Sequence, residues 1–499
     1  MTKIRSLLLA LPLLTSVAAG AALADPAQNC AALAGRALAG GTVTVETAEA
    51  GRDEAGGLCV VMAGFTDSTL KFEARLPMTG WNGRLVFLGG GGFDGMILPP
   101  PAFLSRSIVT DRYATVMTNG GYDAGGRTPS YFNAAFASDP VKRADFTHLS
   151  EHRSLPPAKA LVESFFGRPP ARSYFEGCSM GGHDALIEAQ RYPEDFDGII
   201  ARAPAGNILG LFARFNRIAT AMDRDGGALS GAKQTLLADA VRKRCDGLDG
   251  KVDGIVTRAD RCGFDPEGLR CPPGRSGDDC LTDRELETVA TITRPWQSRD
   301  GQVAHAGFPF GGEDSDKGWG EYMYPQLLLL NNSLQGLFSR GFIRAFIAGD
   351  PDHDPKGWEP SDWAPRVAEI KAQFQADDPD LSRFAARGGR LILWTGETDS
   401  SVSPRETENY FNAVRRAMGP DKTDETVALY MAPGVGHCFG GPGHDQVDLL
   451  TPLVAWVERG EAPATLSATR STDNGAPAQP LCRYPQSPHF PAGGKAVCH

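Results

Sequence analysis

The stretch Glu176-Gly177-Cys178-Ser179-Met180-Gly181-Gly182 constrains the fold more than any other part of the chain. It holds the pattern G-x-S-x-G between a short β-type run, Ser173 to Glu176, and a helical pattern that stops at Pro193. A serine held between small residues at a strand-to-helix turn has its hydroxyl exposed at the top of a sheet. The glycines are needed because such a turn brings backbones into close approach. The pattern alone is common in a chain with 59 glycines, so its setting carries the argument.

That setting extends along the chain. Arg84 to Leu88, Tyr113 to Met117, Gly198 to Ala201, Arg390 to Trp394 and Val427 to Met431 read as buried strands. Pro156 to Phe166, Gly182 to Arg191, Pro404 to Met418 and Asp445 to Gly460 read as helices. Alternating buried strands and helices predict an α/β fold with a mostly parallel sheet, of the α/β-hydrolase type. Between about Gly206 and Asp380 the strand signals fade, and four of the seven Trp (296, 319, 358, 363) fall there. This segment is expected to be an inserted lid domain, 206–380, between two parts of a catalytic domain, 25–205 and 381–499. No internal repeat is found.

Residues 1–24 read as a secretory signal peptide. Lys3 and Arg5 precede an apolar run from Leu7 to Gly20, and Ala22-Leu23-Ala24 offers a cleavage site. The run is short for a membrane span, and no other stretch is long and apolar enough for one. Cleavage moves the formal charge from −10 to −12, a balance that does not favour nucleic acid or anionic lipid. A hydrophobic content of 41% supplies a large core. The ten cysteines are even in number, and an exported chain favours disulfides. No C-x-x-C pair points to zinc.

A serine hydroxyl needs an adjacent base, itself held by a carboxylate. In this fold the chain order is Ser, then Asp or Glu, then His. Asp399 follows the strand ending in Trp394, and His437 follows the strand 427–431. Ser179, Asp399 and His437 therefore all fall just past C-terminal strand ends, where open α/β sheets build their sites. Glu397 is the rival carboxylate. Cys178 precedes Ser179 and Cys438 follows His437. If those cysteines are bonded, their Cα atoms lie about 6 Å apart, which sets nucleophile and base side by side; two buried free thiols are the alternative. Gly89-Gly90-Gly91-Gly92 follows strand 84–88 without the Lys-Ser/Thr of a phosphate cradle. An oxyanion hole fits better, made of Met180 N–H and an N–H from Gly91 or Gly92.

Cys245-Asp246-Gly247-Leu248-Asp249-Gly250-Lys251-Val252-Asp253-Gly254-Ile255 gathers three carboxylates and three glycines. Asp246, Asp249 and Asp253 could offer carboxylates to a hard cation, and Lys251 and Ile255 backbone carbonyls. A solvated Asp-Gly loop is the other reading of these residues. The spacing is not that of an EF-hand.

With these motifs in view, the chain resembles the tannase and feruloyl esterase family, which includes hydrolases of mono(hydroxyethyl) terephthalate. The resemblance covers almost the whole mature chain and rests on Tyr174 to Gly182, Ala189 to Gly198, Asp380 to Asp399, Pro433 to Gly443 and Leu481 to Pro485. The family's Cys-Ser, Asp and His-Cys arrangement falls on Cys178-Ser179, Asp399 and His437-Cys438. Two positions depart. His183 stands where the family often has Arg, and Thr118-Asn119-Gly120-Gly121-Tyr122 replaces Thr-Asp-x-Gly-His. The resemblance implies a structural calcium at Asp246, Asp249, Lys251, Asp253 and Ile255. It also implies the pairs Cys30–Cys59, Cys245–Cys262, Cys271–Cys280 and Cys482–Cys498.

The function expected is a secreted or periplasmic serine carboxylic ester hydrolase. Its partner is a small-molecule ester of an aromatic acid, for which the aromatic-rich lid offers flat apolar walls. An acyltransferase or peptidase on the same triad, and a calcium-dependent binding protein without catalysis, are the competing classes. The sequence sets neither the oligomeric state nor the natural ester.

Overall fold

The computed structural model describes residues 26–125, 132–326, 329, 332–472, 477–492 and 494–499. The signal-peptide segment 1–24 lies outside the described residues.

Ten strands form one sheet: β1 (Ala37–Leu38), β2 (Val43–Asp53), β3 (Gly56–Phe65), β4 (Lys71–Pro77), β5 (Arg84–Leu88), β6 (Ala114–Thr118), β7 (Arg172–Cys178), β8 (Gly198–Arg202), β9 (Arg390–Gly396) and β10 (Val427–Ala432). Their order is β1-β2-β3-β4-β6-β5-β7-β8-β9-β10. The six strands from β6 to β10 in that order are mutually parallel. β1 to β4 form an antiparallel meander that joins β6. The fold is thus α/β with a mostly parallel sheet, and the expected strands lie within one or two residues of the observed ones.

The central strands are apolar on both sides because both faces are covered. Leu85, Phe87, Leu391 and Leu393 enter one core, and Val86, Leu88, Ile392 and Trp394 another. The first face is covered by α1 (Ser150–Phe166) and α2 (Met180–Arg191) through Leu155, Leu161, Leu186 and Ile187. The segment between β8 and β9 adds no strand to this sheet. It carries α3 (Ile208–Met222), α4 (Gly231–Cys245), α5 (Asp283–Thr293), α6 (Leu334–Phe342) and α7 (Ala364–Phe374). Thr282 and Glu285 close a capping box on α5, satisfying donors at the helix start. α8 (Pro404–Met418) covers the same face as α1 and α2 through Phe411 and Val414, and α9 (Leu450–Arg459) covers the opposite face through Leu453 and Trp456.

Two helix boundaries differ from expectation. α1 starts at Ser150, so Pro156 and Pro157 lie inside it rather than at its start. α9 starts at Leu450 rather than Asp445, because the Asp445 carboxylate is taken by the N–H groups of Gly440 and Ser471. No helix among the described residues is long and apolar enough to cross a membrane.

All ten cysteines are paired: Cys30–Cys59, Cys178–Cys438, Cys245–Cys262, Cys271–Cys280 and Cys482–Cys498. Five bridges in one chain suit an oxidising compartment.

The insertion shares a core with the sheet domain. Phe93 stacks on Phe212, Phe212 on Phe342 at 4.3 Å between ring centres, and Phe346 on Phe374. Trp319, Trp358 and Tyr324 are buried as well. Many of the insertion's aromatic residues therefore pack this shared interior.

Candidate active site

The turn between β7 and α2 is built as tightly as its glycines suggest. Ser179 has φ +65° and ψ −116°, a strained conformation for a side chain larger than glycine. A Cβ on Gly177 would lie 2.5 Å from the Gly181 carbonyl oxygen, and one on Gly182 2.3 Å from that of Arg202. Gly181 packs on Gly89, where an added Cβ would meet backbone at 2.7 Å, and its N–H donates to the Gly90 carbonyl at 3.1 Å. The strain at Ser179 is held by bonds on both sides. Its N–H donates to the Arg202 carbonyl, and its own carbonyl accepts from His183 and Ala205.

Beneath the turn lies a fully buried ion pair. Arg202 Nε donates to Glu176 Oε1 at 2.7 Å, and Ser105 donates to the same oxygen from its N–H and hydroxyl. Arg202 also reaches the Val447 carbonyl and lies over the Trp394 ring. A buried pair of this kind adds little net stability, but removing one partner typically costs about 3–5 kcal/mol. It locks the ends of β7 and β8, from which the turn rises.

The loops after β9 and β10 are zipped together. Glu397 N–H donates to the Ala432 carbonyl, and Thr398 donates to Val435 from both its N–H and its hydroxyl. Gly396 has no room for a Cβ, which would stand 2.3 Å from the Val435 carbonyl oxygen. This pairing brings His437 Nδ1 to 2.7 Å from Asp399 Oδ2. Asp399 is 1% exposed, and its other oxygen accepts from the N–H groups of Ser401 and Val402 at 2.7 and 2.8 Å. A carboxylate so placed fixes the imidazole tautomer and leaves Nε2 as the proton acceptor. Glu397 points elsewhere: its carboxylate accepts the Arg258 N–H at 2.7 Å, and burial pushes its pKa up to about 7.

The Cys178–Cys438 bridge, with a Cα–Cα distance of 6.1 Å, joins the residue before Ser179 to the residue after His437. Cys438 itself has φ +64°. The insertion reaches this point too. Tyr322 lies edge-on to the His437 ring at 5.6 Å, and Lys317 packs over Phe439 and against Gly436. His183, the departure from the usual Arg, is wholly buried. Its Nε2 bonds the Phe374 carbonyl of α7 at 2.8 Å, and burial lowers its pKa to about 3, so it is neutral. It ties the helix behind Ser179 to the insertion.

Met180 occupies the first position of α2, where an N–H has no acceptor within the helix. In the glycine run the Gly91 N–H is turned to Asp94 Oδ1 at 2.6 Å, while Gly92 has φ +61°. The sequence pattern alone does not single out this Asp94 contact. The sequence signal was a carboxylate three residues after Gly91. Tyr322 and the N–H groups of Ser401 and Val402 were likewise not singled out.

The acidic loop stands apart from this centre. Asp246 accepts from the N–H groups of Asp253 and Gly254, and Asp249 from Lys251 N–H and the Thr257 hydroxyl. Lys251 Nζ lies 2.8 Å from Asp253. Burial raises the Asp249 carboxyl, with Asp253 and Asp246 adding to it. Among the described residues no three His, Cys, Asp or Glu side chains are grouped so that they could hold a metal ion.

Comparison with known proteins identifies the family. Residues 59–499 match the family described as tannase and feruloyl esterase. The chain is 31% identical over 485 residues to a mono(2-hydroxyethyl) terephthalate hydrolase of Piscinibacter sakaiensis, covering 85% of this chain and 79% of that protein. It is 28% identical over 443 residues to a probable feruloyl esterase B-1 of Aspergillus terreus, covering 84% and 80%. A solved esterase from Aspergillus oryzae superposes with a TM-score of 0.84 at 24% identity, over 95% of this chain and 100% of that one. Feruloyl esterase B from Aspergillus oryzae gives 0.82 at 22%, again over 95% and 100%. The chain belongs to the tannase and feruloyl esterase family and is a carboxylic ester hydrolase.

Proposed function

We propose that this hydrolase cleaves esters of aromatic acids by a serine mechanism on an α/β-hydrolase fold. Ser179 attacks the ester carbonyl while His437 takes the hydroxyl proton through Nε2, and Asp399 stabilises the imidazolium that forms. The N–H groups of Met180 and Gly92 stabilise the oxyanion. Gly92 is preferred over Gly91 because the Gly91 N–H is engaged by Asp94. His437 returns the proton to the departing alcohol. Water then attacks the acyl-enzyme, with His437 again as base, and the acid leaves. The observation that carries this reading is the bridge from Cys178 to Cys438, which links the strained serine turn to the loop bearing the 2.7 Å His437–Asp399 pair.

The acid part is phenolic or otherwise aromatic, such as ferulate, gallate or a phthalate half-ester. Family membership supports this, as does the partly exposed Tyr322 beside His437. A ring packed against one aromatic side chain gains roughly 1 kcal/mol beyond its area. The insertion 206–380 acts as a lid over the site. We expect kcat/KM for methyl ferulate, methyl gallate and a terephthalate half-ester to exceed that for aliphatic esters of similar size by tenfold or more. A tenfold preference for the aliphatic esters would refute the aromatic-acid reading and leave the serine esterase intact.

The acidic loop holds calcium in this reading. What supports this is the sequence pattern, three carboxylates on one short loop, and the proximity by which Asp253 and Asp246 raise the Asp249 carboxyl; the side chains do not form a metal site as they stand and would have to turn toward the ion. The carbonyls of Lys251 and Ile255 complete the donor set. The ion would neutralise the clustered charge and brace the start of the insertion, and no residue of the reaction belongs to it. A ligand bound only by the folded state stabilises by about 2.7 kcal/mol at a hundredfold excess over its Kd. Chelation should therefore lower the melting temperature by several degrees while residual folded enzyme keeps its kcat. Elemental analysis without calcium, together with an unchanged melting curve, would contradict the site. The leader 1–24 and the five bridges support export to the periplasm or beyond.

A further inference from the structure

The glycine run after β5 could not hold a fixed shape by itself, since four consecutive glycines carry the largest conformational freedom a chain can have. Backbone bonds from Gly89 to Glu176 and from Gly181 to Gly90 hold its first half, and one side chain holds its second. Asp94 Oδ1 lies 2.6 Å from Gly91 N, and Asp94 N–H donates back to the Gly91 carbonyl at 2.9 Å, closing a reciprocal turn over 91–94. The carboxyl is boxed in. A Cβ on Gly90 would stand 2.0 Å from Asp94 Oδ1, and one on Gly120 2.8 Å from Asp94 Cβ. The Asp94 backbone is left-handed, at φ +56°, and its carbonyl accepts from the Tyr122 hydroxyl at 3.3 Å. Gly95 is tied to the Asn119 carbonyl. The clamp therefore anchors the glycine loop to the loop after β6, where the chain departs from the usual Thr-Asp-x-Gly-His. On its other side the same loop touches the serine turn, through the Gly181 N–H on the Gly90 carbonyl.

We propose that Asp94 is a positioning residue for catalysis: by engaging the Gly91 N–H it sets the glycine loop so that the next N–H, that of Gly92, faces the oxyanion. The inference rests on the serine mechanism proposed above. Asp94 acts through backbone and does not touch substrate. Its neighbours explain why a carboxyl can serve without acting as a free charge beside a developing anion. It is buried, and Glu151 of α1 and Asp184 of α2 face it from the two packed helices. Burial, with Glu151 adding to it, pushes its pKa up to about 8 and so disfavours the charged form. A protonated carboxyl still accepts an N–H through its carbonyl oxygen, and an asparagine amide does the same.

The test compares Asp94→Ala with Asp94→Asn, and both with Ser179→Ala, on one aromatic ester and on a trifluoromethyl ketone that forms a tetrahedral adduct. Asp94→Ala should lower kcat by tenfold or more with KM within threefold, and weaken the ketone in proportion, because an oxyanion contact acts on the transition state and not on the bound ester. Asp94→Asn should keep kcat and ketone affinity within threefold. If Asp94→Ala does not fold, Asp94→Gly replaces it, since glycine suits the positive φ and also lacks the acceptor. A deletion variant with kcat within threefold of wild type would overturn the proposal. So would Asp94→Asn losing as much as the deletion, which would assign the effect to charge or packing. Turnover surviving in Ser179→Ala would instead overturn the serine mechanism, so the two failures are distinct.

Discussion

Ser179→Ala should lower kcat by on the order of 10⁴ to 10⁶ while the melting temperature stays within a few degrees of wild type. The size follows from the role, since removing the nucleophile of such a unit costs about as much as removing the whole unit. The fold should survive for a local reason. The conformation at φ +65° is held by backbone bonds of residue 179 to Arg202, His183 and Ala205, and alanine keeps every one of them. Asp399 and His437 also keep their own bond. A variant that unfolds would say nothing about chemistry, so melting and ester turnover should be measured on the same sample. Activity above a few per cent of wild type in the folded variant would remove Ser179 from its assigned role.

The second large effect is expected from Cys178→Ala/Cys438→Ala. The bridge spans 260 residues in sequence, and the chain-entropy account of such a loop allows up to about 5 kcal/mol of stability. Two other bridges, Cys245–Cys262 and Cys271–Cys280, lie inside this loop and shorten it in the unfolded chain, so the loss should fall below that limit. Activity should fall more steeply than stability. Ser179 directly follows Cys178, the last residue of β7, and His437 directly precedes Cys438, so the bridge ties both side chains within one residue of its ends. A misplacement of about 1 Å between reacting groups can cost a hundredfold in rate. We expect kcat/KM to drop by a hundredfold or more at a temperature where far-ultraviolet circular dichroism shows the variant folded. Activity within threefold of wild type would mean that the zipped loops after β9 and β10 hold His437 in register without the bridge.

The parts of the fold legible in the sequence are those where burial is two-sided. β5, β9 and β10 read as unbroken apolar runs because helices cover both faces, and α8 shows from Pro404 to Met418 in its amphipathic pattern. The meander β2 to β4 carries no comparable pattern. β2, from Val43 to Asp53, leaves much of its length exposed and carries Glu46, Glu49, Ala48 and Ala50 where a strand signal needs branched or aromatic residues. β3 begins with two glycines. Pairing across the hairpin supplies what composition does not. Pro156-Pro157 suggested a helix start, yet the helix begins a turn and a half earlier on the preceding Asp145–Leu149 turn.

The site divides the same way. Ser179, Asp399 and His437 could be named because each follows a strand whose end is marked. Asp94 could not, because its partners Gly90, Gly91 and Gly120 come from two loops about 30 residues apart, and only the folded chain shows that the carboxyl fills the gap between them. The insertion's aromatic content is legible as composition, but composition does not say which rings pack the interior and which face the site. Phe212, Phe342, Phe346 and Trp319 are interior, while Tyr322 stands beside His437.

The most direct measurement is covalent labelling of the wild-type enzyme with a fluorophosphonate, followed by peptide mapping. The account predicts one modified residue, Ser179, with loss of ester hydrolysis in proportion to labelling and no label on Ser179→Ala. Label on another residue with activity lost, or full labelling of Ser179 with hydrolysis unimpaired, would contradict it.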